Sequence, residues 1–464
     1  LIMTKSAEKL YMSYAVKNSE GAALMPSYII RSMRKMFSHC LKLSYKDTAQ
    51  QNSYVTIPRA ANSFDNTEIA ANVDEDIIDS LTGGRLVGSV TSFENFAECP
   101  LRYYLRYGVD LKEREEFTFS PVNFGVVLHA VIREVCDEIK KNGESYYLIS
   151  EEKRREMVKR SVSAITDIYQ NSILKDSSRN SFMIKRMEDL ADRTVWAMGE
   201  QLKCGDFVPF VFEHKFNMEV GNGDRKQLMS GTIDRVDICE NGTDVYVRII
   251  DYKTGKKDFN IVKTYYGIDI QLMVYMEAAM KLVAKMRPGK NVIPAGVFYY
   301  NISDPIVSAT TESAEEIEDK IKGELRLKGM VNSDKDIAEK MDNNEGTSLN
   351  IPVSRKADGG FDSRRSKVMN TEQFNMLGRF VDVRAVDTAD RIAGGDIRRS
   401  PYKDGQFSSC DRCPYGAVCG FSVDLPGCNY RKLKKFDDEV LWNNIKEGVD
   451  ENGKKMDTGA EERD

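Results

Sequence analysis

The stretch from Gly231 to Gly255, which reads GTIDRVDICENGTDVYVRIIDYKTG, constrains this chain more than any other part of it. It contains two runs typical of β-strands, joined by a turn rich in Asn and Gly. Asp234 ends the first run, and Asp251 and Lys253 end the second. Because side chains two residues apart on a strand point to the same face, we expect Lys253 to share a face with Asp251.

Two carboxylates at adjacent strand ends form a site for a hard divalent cation. Such a metal activates water and polarises a phosphoryl oxygen, while the Lys253 ammonium group orients that water and offsets developing negative charge. The trio is therefore suited to hydrolysing a phosphodiester. Its two motifs, DRVD and DYKTG, also occur by chance, and the second is equally compatible with a strand that runs into a turn.

The bulk properties describe an ordinary globular protein. With 464 residues, of which 41% are hydrophobic and 30% charged, the chain is expected to form two or three domains. The net charge of −5 excludes a globally basic nucleic-acid binder, so any DNA contact depends on local patches. The candidate patches, each equally compatible with a solvated face, are Lys256-Lys257, Arg364-Arg365 and Arg398-Arg399.

The chain carries no recognisable targeting segment. No apolar run is long enough to span a membrane and no signal peptide opens the sequence, so a cytoplasmic location is expected. The chain begins Leu1-Ile2-Met3, and we expect it to be a fragment of a longer protein. Its nine cysteines, without secretory context, favour reduced thiols or metal ligation over disulfides.

Periodicity predicts a mixed α/β core with helical insertions. Helical patterns cover 124–141, 151–175, 180–203 and 268–286, and strand patterns cover 208–220, 226–239, 243–253 and 292–302. Residues 46–85 are polar and rich in turn residues, which predicts a linker. The segment 303–400 is expected to be mostly helical and loop-like, and the acidic segment 436–464 is expected to be disordered.

Three further side chains are candidates for the site. His129 lies on a predicted helix after Gly125, where a small residue would allow close approach of another backbone. Imidazole is a ready metal ligand, although a lone helical histidine is more often a bystander. Gln271 and Tyr275 are four residues apart on the next helix and share one face. They are expected either to contact phosphates and steady Lys253 or to serve helix packing.

The cysteines form two groups. Four lie singly in patterned segments and are predicted to fill the core: Cys40, Cys136, Cys204 and Cys239. Cys410, Cys413 and Cys419 form a C-x2-C-x5-C loop typical of metal or cluster ligation. The fourth ligand is either Cys428, which gives a zinc knuckle with four thiolates, or the distant Cys99, which ties together two ends of the domain.

Taken together, the motifs of this chain resemble the C-terminal nuclease domain of the AddB family, subunits of AddAB helicase-nucleases. That domain belongs to the RecB-like branch of the PD-(D/E)XK nucleases, which implies a restriction-endonuclease-like core over residues 86–435. The resemblance rests on the order and spacing of SVTSFENFAECPLRYYLRYGVDLKER, FGVVLH, GTIDRVD, DYKTG, QLMVY, GGDIRRSPY and CDRCPYGAVC, followed by Tyr430-Arg431.

The resemblance implies a role for each motif residue. Asp234, Asp251 and the backbone carbonyl of Tyr252 are expected to hold Mg²⁺ or Mn²⁺, with His129 beside the metal. Lys253 is expected to position the nucleophilic water. Gln271 and Tyr275 match the Q-x3-Y element of the family.

The resemblance also implies a cluster and a partner. The iron–sulfur cluster of the family, a 4Fe–4S group, would be held by Cys99, Cys410, Cys413 and Cys419, which leaves Cys428 as a spare. The cluster is expected to be a structural staple that supports DNA binding. An AddA-type helicase-nuclease subunit would feed single-stranded DNA, expected to be the 5′-ended strand, to the site during double-strand-break repair and recombination.

The first 45 residues resemble the end of a superfamily 1 helicase lobe. The segment MTKSAEKLYMSYA is similar to the last motif of that family, but Lys5 stands where the motif has Arg. Lysine cannot make the bidentate phosphate contact of a guanidinium group. The sequence also contains no G-x4-GK[ST] phosphate loop, so we expect no ATP hydrolysis by this chain.

Two other functions are compatible with parts of the sequence. A structural, DNA-guiding subunit would leave the nuclease core unused, but the intact trio of Asp234, Asp251 and Lys253 argues against it. A stand-alone RecB-like nuclease, similar to those associated with CRISPR adaptation, is disfavoured by the helicase-like first segment and the helical insertions.

Overall fold

A computed structural model describes Met25 and residues 72–74, 76–77, 87–112, 121–168, 178–220, 227–308, 312–424 and 428–461. The chain divides into two units, Leu1–Asp65 and Asn66–Asp464, and the described helices and strands all belong to the second unit. The predicted helicase-like remnant at 1–45, with Lys5 and Cys40, and nearly all of the 46–85 linker lie outside the described residues. Among the described helices, none has the length and apolar character needed to cross a membrane.

A seven-stranded mixed sheet forms the centre of the unit. Its strands are β1 (Val87–Ser89), β2 (Val208–Val220), β3 (Gln227–Asn241), β4 (Asp244–Lys253), β5 (Asn291–Asn301), β6 (Lys328–Asn332) and β7 (Val368–Met369). They lie in the order β1-β3-β4-β5-β6-β7, and β2 also pairs with β3. β3 is antiparallel to β2 and β4, whereas β1 is parallel to β3 and β5 is parallel to β4.

The central strands are buried on both faces, as their continuous apolar runs require. On β4, Tyr246 and Ile250 pack into one hydrophobic core, while Val245, Val247 and Ile249 pack into the other. This alternation follows from the two-residue period of a strand. Two cores therefore cover the two faces of the sheet.

Helices supply the outer wall of each core. They are α1 (Val90–Glu98), α2 (Pro100–Tyr103), α3 (Pro121–Lys141), α4 (Glu151–Ile168), α5 (Ser178–Lys203), α6 (Ile261–Tyr265), α7 (Gln271–Met286), α8 (Ala314–Glu324), α9 (Lys335–Met341), α10 (Thr371–Ala393), α11 (Gly416–Cys419) and α12 (Asp438–Glu461). Helices α3 to α5 pack on the first face, and α1, α7, α10 and α12 pack on the second. The predicted α/β class, a mixed sheet flanked by helices, is confirmed.

The prediction for 303–400 is incomplete, because this segment contributes two strands to the sheet. β6 pairs antiparallel with β5, and β7 pairs parallel with β6. Both strands are short, five and two residues, so their pattern is too brief to be separated from a loop. Their place in the sheet depends on pairing with β5, which lies outside the segment.

The prediction of disorder for 436–464 is wrong for most of that segment. Residues Asp438–Glu461 form α12, whose Leu441 and Ile445 are buried in the second core. These two residues are four apart and lie on one helical face. The acidic composition of the segment conceals this narrow apolar stripe, which packs against α10.

A small second sheet follows the main one and carries the cysteine loop. It consists of β8 (Tyr402–Asp404), β9 (Phe407–Ser408) and β10 (Arg431–Lys432). β8 is antiparallel to β9 and parallel to β10. Because β9 and β10 flank the loop, both of its ends are anchored to β8.

Candidate active site

The candidate site lies at a fork in the sheet, where β3 changes partners along one edge. β1 pairs with β3 up to Ser230, and β4 pairs with it only from Arg235 onward. The other edge of β3 is occupied by β2 from Gln227 to Ile238. Residues Gly231 to Asp234 lie between the part of β3 that pairs with β1 and the part that pairs with β4. On that edge they therefore have no backbone pairing with a neighbouring strand.

Asp234 lies at this gap, and the prediction that it ends a strand is wrong. It is an interior residue of β3, because β2 continues the pairing on the far edge. Its side chain replaces the missing backbone acceptor, because Oδ2 accepts a hydrogen bond of 2.6 Å from the backbone N–H of Tyr252. The gap thus holds a buried carboxylate at the point where β4 separates from β3.

Asp251 and Lys253 bring the second carboxylate and the ammonium group to the same place. Asp251 is 2% exposed, and its Oδ2 lies 2.5 Å from Lys253 Nζ. Burial disfavours the charged form of Asp251, and the nearby Asp234 carboxylate repels it, so the pKa of Asp251 is raised to about 6. Two carboxylates that repel each other in a buried gap are suited to a cation.

Gln271 and Tyr275 continue the contacts from Lys253 onto α7. Lys253 Nζ donates to Gln271 Oε1 at 2.9 Å, and Gln271 Nε2 donates to the Tyr275 hydroxyl at 2.9 Å. The Tyr275 ring packs against β3 at Gly231, where an added Cβ would lie 3.0 Å from the ring. Glycine at this position therefore permits the close approach of α7 that places Gln271 beside Lys253.

A carboxylate from α1 fixes the start of α7. Glu94 Oε1 accepts hydrogen bonds of 3.0 Å from the backbone N–H groups of both Ile270 and Gln271. These groups have no partner within the helix, and a carboxylate there also interacts favourably with the helix dipole. Burial raises the pKa of Glu94 to about 7. Glu94 therefore positions Gln271, and through it Lys253.

His129 on α3 faces Asp234 from the other side. Its Nδ1 lies 3.4 Å from Asp234 Oδ1, and its ring makes an edge contact with Tyr252 at 5.9 Å between centroids. Burial alone would lower the pKa of His129, but the hydrogen bond and charge of Asp234 outweigh burial and raise it. Gly125 does not serve the predicted backbone approach, since an added Cβ would meet only the Thr254 side chain at an ordinary 3.5 Å.

Glu213 on β2 is a site residue that the sequence-based prediction missed. Ligand atoms of His129, Glu213 and Asp234 all lie within 4.8 Å of one another. Glu213 lies between Phe212 and His214, which pair with Arg235 and Ile233 on either side of Asp234, and it has a left-handed backbone, with φ of +49°. Burial and the Asp234 charge raise its pKa. Only the strand register, which local sequence does not reveal, brings Glu213 to the site.

The donor set fits a hard divalent cation. Carboxylate oxygens of Asp234 and Glu213 and an imidazole nitrogen of His129 lie within 4.8 Å of one another, and Mg²⁺ and Mn²⁺ accept such ligands. Asp251 is outside this group of three but close enough to Asp234 for their charges to repel. Asp251 Oδ2 is buried and lacks a hydrogen bond of good geometry, although Lys253 lies close to it. A cation in the gap would satisfy that oxygen. Tyr252, predicted to ligate through its carbonyl, is placed beside Asp234 by its N–H.

The second aspartate of the DRVD motif is structural. Asp237 is fully buried and ion-paired with Arg235 at 2.6 Å and with Arg248 at 2.9 Å. The charges of both arginines overcome the effect of burial and hold the pKa of Asp237 below its usual range. Buried charges persist only when they are paired in this way. This triad fixes β3 against β4 next to Asp234.

The loop cysteines and Cys99 line one cavity. Cys99, Cys410, Cys413 and Cys419 line a small cavity of about 20 Å³ together with apolar residues such as Leu105. No three of their sulfurs lie within 4.8 Å of one another. Burial raises the pKa of the Cys99 thiol, and the nearby Cys413 sulfur adds to the effect. The fold therefore brings the segment before the nuclease core to the loop that follows it.

The remaining described cysteines lie elsewhere. Cys428 is 4% exposed and does not line this cavity. Cys136 and Cys239 are buried in the first core, which confirms their predicted role as core residues. Cys204 is half-buried and outside that core.

Two of the three predicted basic patches are partly engaged within the protein. Lys257 pairs with Asp269 at 3.0 Å, and Arg398 pairs with Asp396 at 2.7 Å. Arg364 and Arg365 are exposed on the segment before β7. Local charge alone therefore does not define a path for nucleic acid.

Comparisons with known proteins agree with the fold and the motif order. Residues 88–420 match the PD-(D/E)XK nuclease superfamily. The chain is 31% identical, over its whole length, to the B subunit of an ATP-dependent helicase/deoxyribonuclease from Caldanaerobacter subterraneus subsp. tengcongensis. It is 30% identical to the B subunits of the same name from Clostridium acetobutylicum, over 97% of the chain, and Lachnoclostridium phytofermentans, over 100%. In each case it spans 44% of the relative, which is less than half of its length.

Proposed function

Because the chain belongs to the PD-(D/E)XK nuclease superfamily, we propose that it is the metal-dependent exonuclease domain of an AddAB-type helicase-nuclease and hydrolyses single-stranded DNA. The motifs indicate a resemblance to the AddB family. This resemblance is confirmed by matches to helicase/deoxyribonuclease B subunits that cover 98% or more of this chain. The observation that carries the proposal is the fork in the sheet. There, two buried carboxylates, Asp234 and Asp251, meet beside the Lys253 ammonium group.

Asp234, Asp251, His129 and the Tyr252 carbonyl would hold Mg²⁺ or Mn²⁺, and the position of Glu213 adds it to this set. When bound, the ion would supply Lewis-acid chemistry and an activated water. The protein's own contribution is to bring the ligands together before binding. The hydrogen bond from Tyr252 N–H fixes Asp234, and the buried pair Arg235–Asp237 fixes the adjoining strand.

Lys253 is the residue that orients the attacking water and offsets the charge developing on the phosphoryl group. Its Nζ forms an ion pair with Asp251 Oδ2 and donates a hydrogen bond to Gln271 Oε1, so two contacts direct one ammonium group. Tyr275 holds Gln271, and Glu94 holds the helix end from which Gln271 projects. These four contacts remove the rotational freedom of a long side chain before the substrate arrives.

The names of the relatives support a partner subunit, and the choice of DNA strand is the one that the family resemblance implies. Their names join a helicase to a deoxyribonuclease, and they are B subunits, so a second subunit of the AddA type is the proposed partner. The sequence lacks a phosphate loop, and the proposed motor is therefore elsewhere in the complex. We place the activity in the cytoplasm, on the 5′-ended strand of a broken DNA duplex during recombination.

Cys99, Cys410, Cys413 and Cys419 are the proposed ligands of a 4Fe–4S cluster. The support for this proposal is that all four thiols line one cavity, although they are far apart in the sequence. Cys428 lies outside the cavity, which argues against the local zinc knuckle. The cluster would join Cys99 to a loop more than three hundred residues later as a staple, with no role in the hydrolysis itself.

The proposal is tested with single-stranded DNA labelled at either end. In Mg²⁺, the protein with an AddA-type partner is expected to shorten the strand from its 5′ end, and EDTA is expected to stop the reaction. The 5′ label is expected to be released early. The 3′-labelled strand is expected to become progressively shorter while it keeps its label. Metal-independent cleavage would contradict the proposal, and shortening from the 3′ end would contradict its polarity. No cleavage under any condition would favour the DNA-guiding subunit instead.

Activity is expected to fall at acidic pH with an apparent pKa near 6 when the metal is subsaturating. The reason is that the raised pKa of Asp251, about 6, makes a proton compete with the cation for this carboxylate. Below that pH the initial rate should fall about tenfold per pH unit, because one proton must be lost before the metal binds. Raising the Mg²⁺ concentration should move the midpoint to lower pH. A midpoint that does not move with Mg²⁺ would show that another group limits the rate.

A further inference from the structure

An aromatic cavity lies at the end of α6, separate from the metal ligands. Its lining includes Tyr265, Tyr266, Phe380, Arg384, Lys434, Phe436 and Glu447. These residues come from four parts of the chain: α6 and the residue after it, α10, the segment that follows β10, and α12. The proposed nuclease chemistry uses none of them.

The rings of the cavity are arranged in two layers. Tyr265 stacks on Phe380 with centroids 5.3 Å apart and ring planes 7° apart, and this pair forms the floor. Phe380 is 2% exposed, so the floor belongs to the core. Tyr266 and Phe436 are only half-buried and lie at 25° to each other, 6.4 Å apart. A hydrogen bond of 3.1 Å from Lys434 N–H to the Tyr266 hydroxyl holds this upper layer together.

Arg384 is the residue that the packing does not explain. Its guanidinium group lies over the rings of Phe380 at 5.0 Å and Tyr265 at 5.4 Å, and its Nε is buried without a hydrogen bond. Within the described part of the chain, Arg384 makes no ion pair with any carboxylate, including Glu447 across the cavity. The buried Nε therefore has an unmet hydrogen bond, and the positively charged guanidinium group at the cavity wall favours an anion.

From this geometry we infer that the cavity binds one nucleotide of the single-stranded DNA substrate, its base against Tyr266 and Phe436 and its phosphate against Arg384. Sequence-independent binding of a single strand combines aromatic rings for the bases with cations for the phosphates, and the cavity supplies both. Lys434 adds a second cation at the rim, exposed to solvent. Neither a purely apolar ligand nor a bare anion would use both features.

The position of the cavity suits a strand that also reaches the nuclease site. Lys253 ends β4, and the connection from it leads directly into α6 and Tyr266. On the other side, the segment with Lys434 and Phe436 comes after the cysteine loop. The cavity is therefore built partly from the segments that follow the proposed nuclease residues and the cysteine loop in the chain. The inference rests on the proposed function for the identity of the substrate.

The test measures binding without cleavage, by fluorescence anisotropy of a labelled 20-nucleotide oligothymidine in EDTA. Arg384→Met and Tyr266→Ala are each expected to raise Kd at least about fivefold, the loss expected from removing one stacked base or its phosphate contact. Arg384→Met should also reduce the slope of log binding constant against log salt concentration by about 0.7 in magnitude. This is the value for the loss of one phosphate contact to a single strand. Arg379→Met is the matched control, because Arg379 lies on the same helix but lines a different cavity.

An oligonucleotide with abasic sites distinguishes base stacking on Tyr266 from phosphate binding by Arg384, because it keeps the phosphates and lacks the bases. Tyr266→Ala should not affect its binding, whereas Arg384→Met should weaken it as before. Kd values for Arg384→Met and Arg379→Met that cannot be distinguished would overturn the inference.

A crosslinking experiment on the wild-type protein removes any dependence on variant folding. A strand containing 5-iodouracil is expected to crosslink to Tyr266 or Phe436, and crosslinks confined to other segments would overturn the inference. Because both measurements are made without metal, they stand even if the protein fails to cleave DNA. Conversely, normal cleavage with unchanged binding in the variants would reject the cavity alone.

Discussion

Replacing Asp251 with alanine is expected to reduce metal-dependent degradation of single-stranded DNA by at least about a thousandfold, because both a metal ligand and the partner that directs Lys253 are lost. Asp251 is 2% exposed and lies 2.5 Å from Lys253 Nζ, so no neighbouring group can move in without rearranging β4. The measurement is the initial rate of nucleotide release in saturating Mg²⁺.

The fold of this variant is expected to survive. The charged form of Asp251 is disfavoured by burial and by repulsion from Asp234, so its removal relieves a cost at neutral pH. Lys253 keeps its hydrogen bond to Gln271. The control is Asp258→Ala, an exposed aspartate in the connection after β4 that pairs only with Lys367 among the described residues. This control should retain its rate and melting temperature, and equal loss in both variants would show that the effect is not specific to the site.

Replacing Cys99 with serine is expected to lower the melting temperature by roughly 5–10 °C and to remove the iron from anaerobically purified protein. The physical reason is that cluster binding is coupled to folding, so losing one of four ligands loses stability that the bound group supplied. Cys99 connects α1 to α2 at one wall of the cavity, and the other three cysteines come from the loop near the end of the domain. The measurements are iron and sulfide content before exposure to air, and thermal unfolding.

Cys428→Ser is the matched control for this prediction, because Cys428 is also buried but lies outside the cavity. It should keep its iron and lose little stability. The opposite pattern, zinc in the wild-type protein that Cys428→Ser removes and Cys99→Ser does not, would replace the cluster with the local zinc knuckle.

The elements that sequence predicted well are those whose signal is local. The period-two run at 208–220 gave β2 its observed bounds, and the strand pattern at 243–253 gave β4 within one residue. Helix α7 begins three residues after the start of its predicted range, because Glu94 caps its N-terminus from another element. Boundaries set by such distant contacts are not visible in a local pattern.

The candidate site also combines features that local sequence predicts with features that depend on distant strands. Asp251 and Lys253 share a face because they are two residues apart on one strand, which the sequence states directly. That Asp234 lies inside β3, and that Glu213 lies close to it, depends on which strands pair and in what register. The fork itself requires β1, which precedes β3 by more than a hundred residues. These are long-range facts of pairing that one sequence does not specify.

The most direct test of the metal-dependent mechanism measures metal binding and hydrolysis in the same samples. Mn²⁺ is titrated into wild-type protein, Asp251→Asn and Asp258→Asn, with free Mn²⁺ followed by electron paramagnetic resonance and strand cleavage followed in parallel. We predict that wild type and Asp258→Asn bind Mn²⁺ and degrade DNA, and that Asp251→Asn loses both together. An Asp251→Asn protein that binds Mn²⁺ and cleaves DNA as the wild type does would contradict the mechanism.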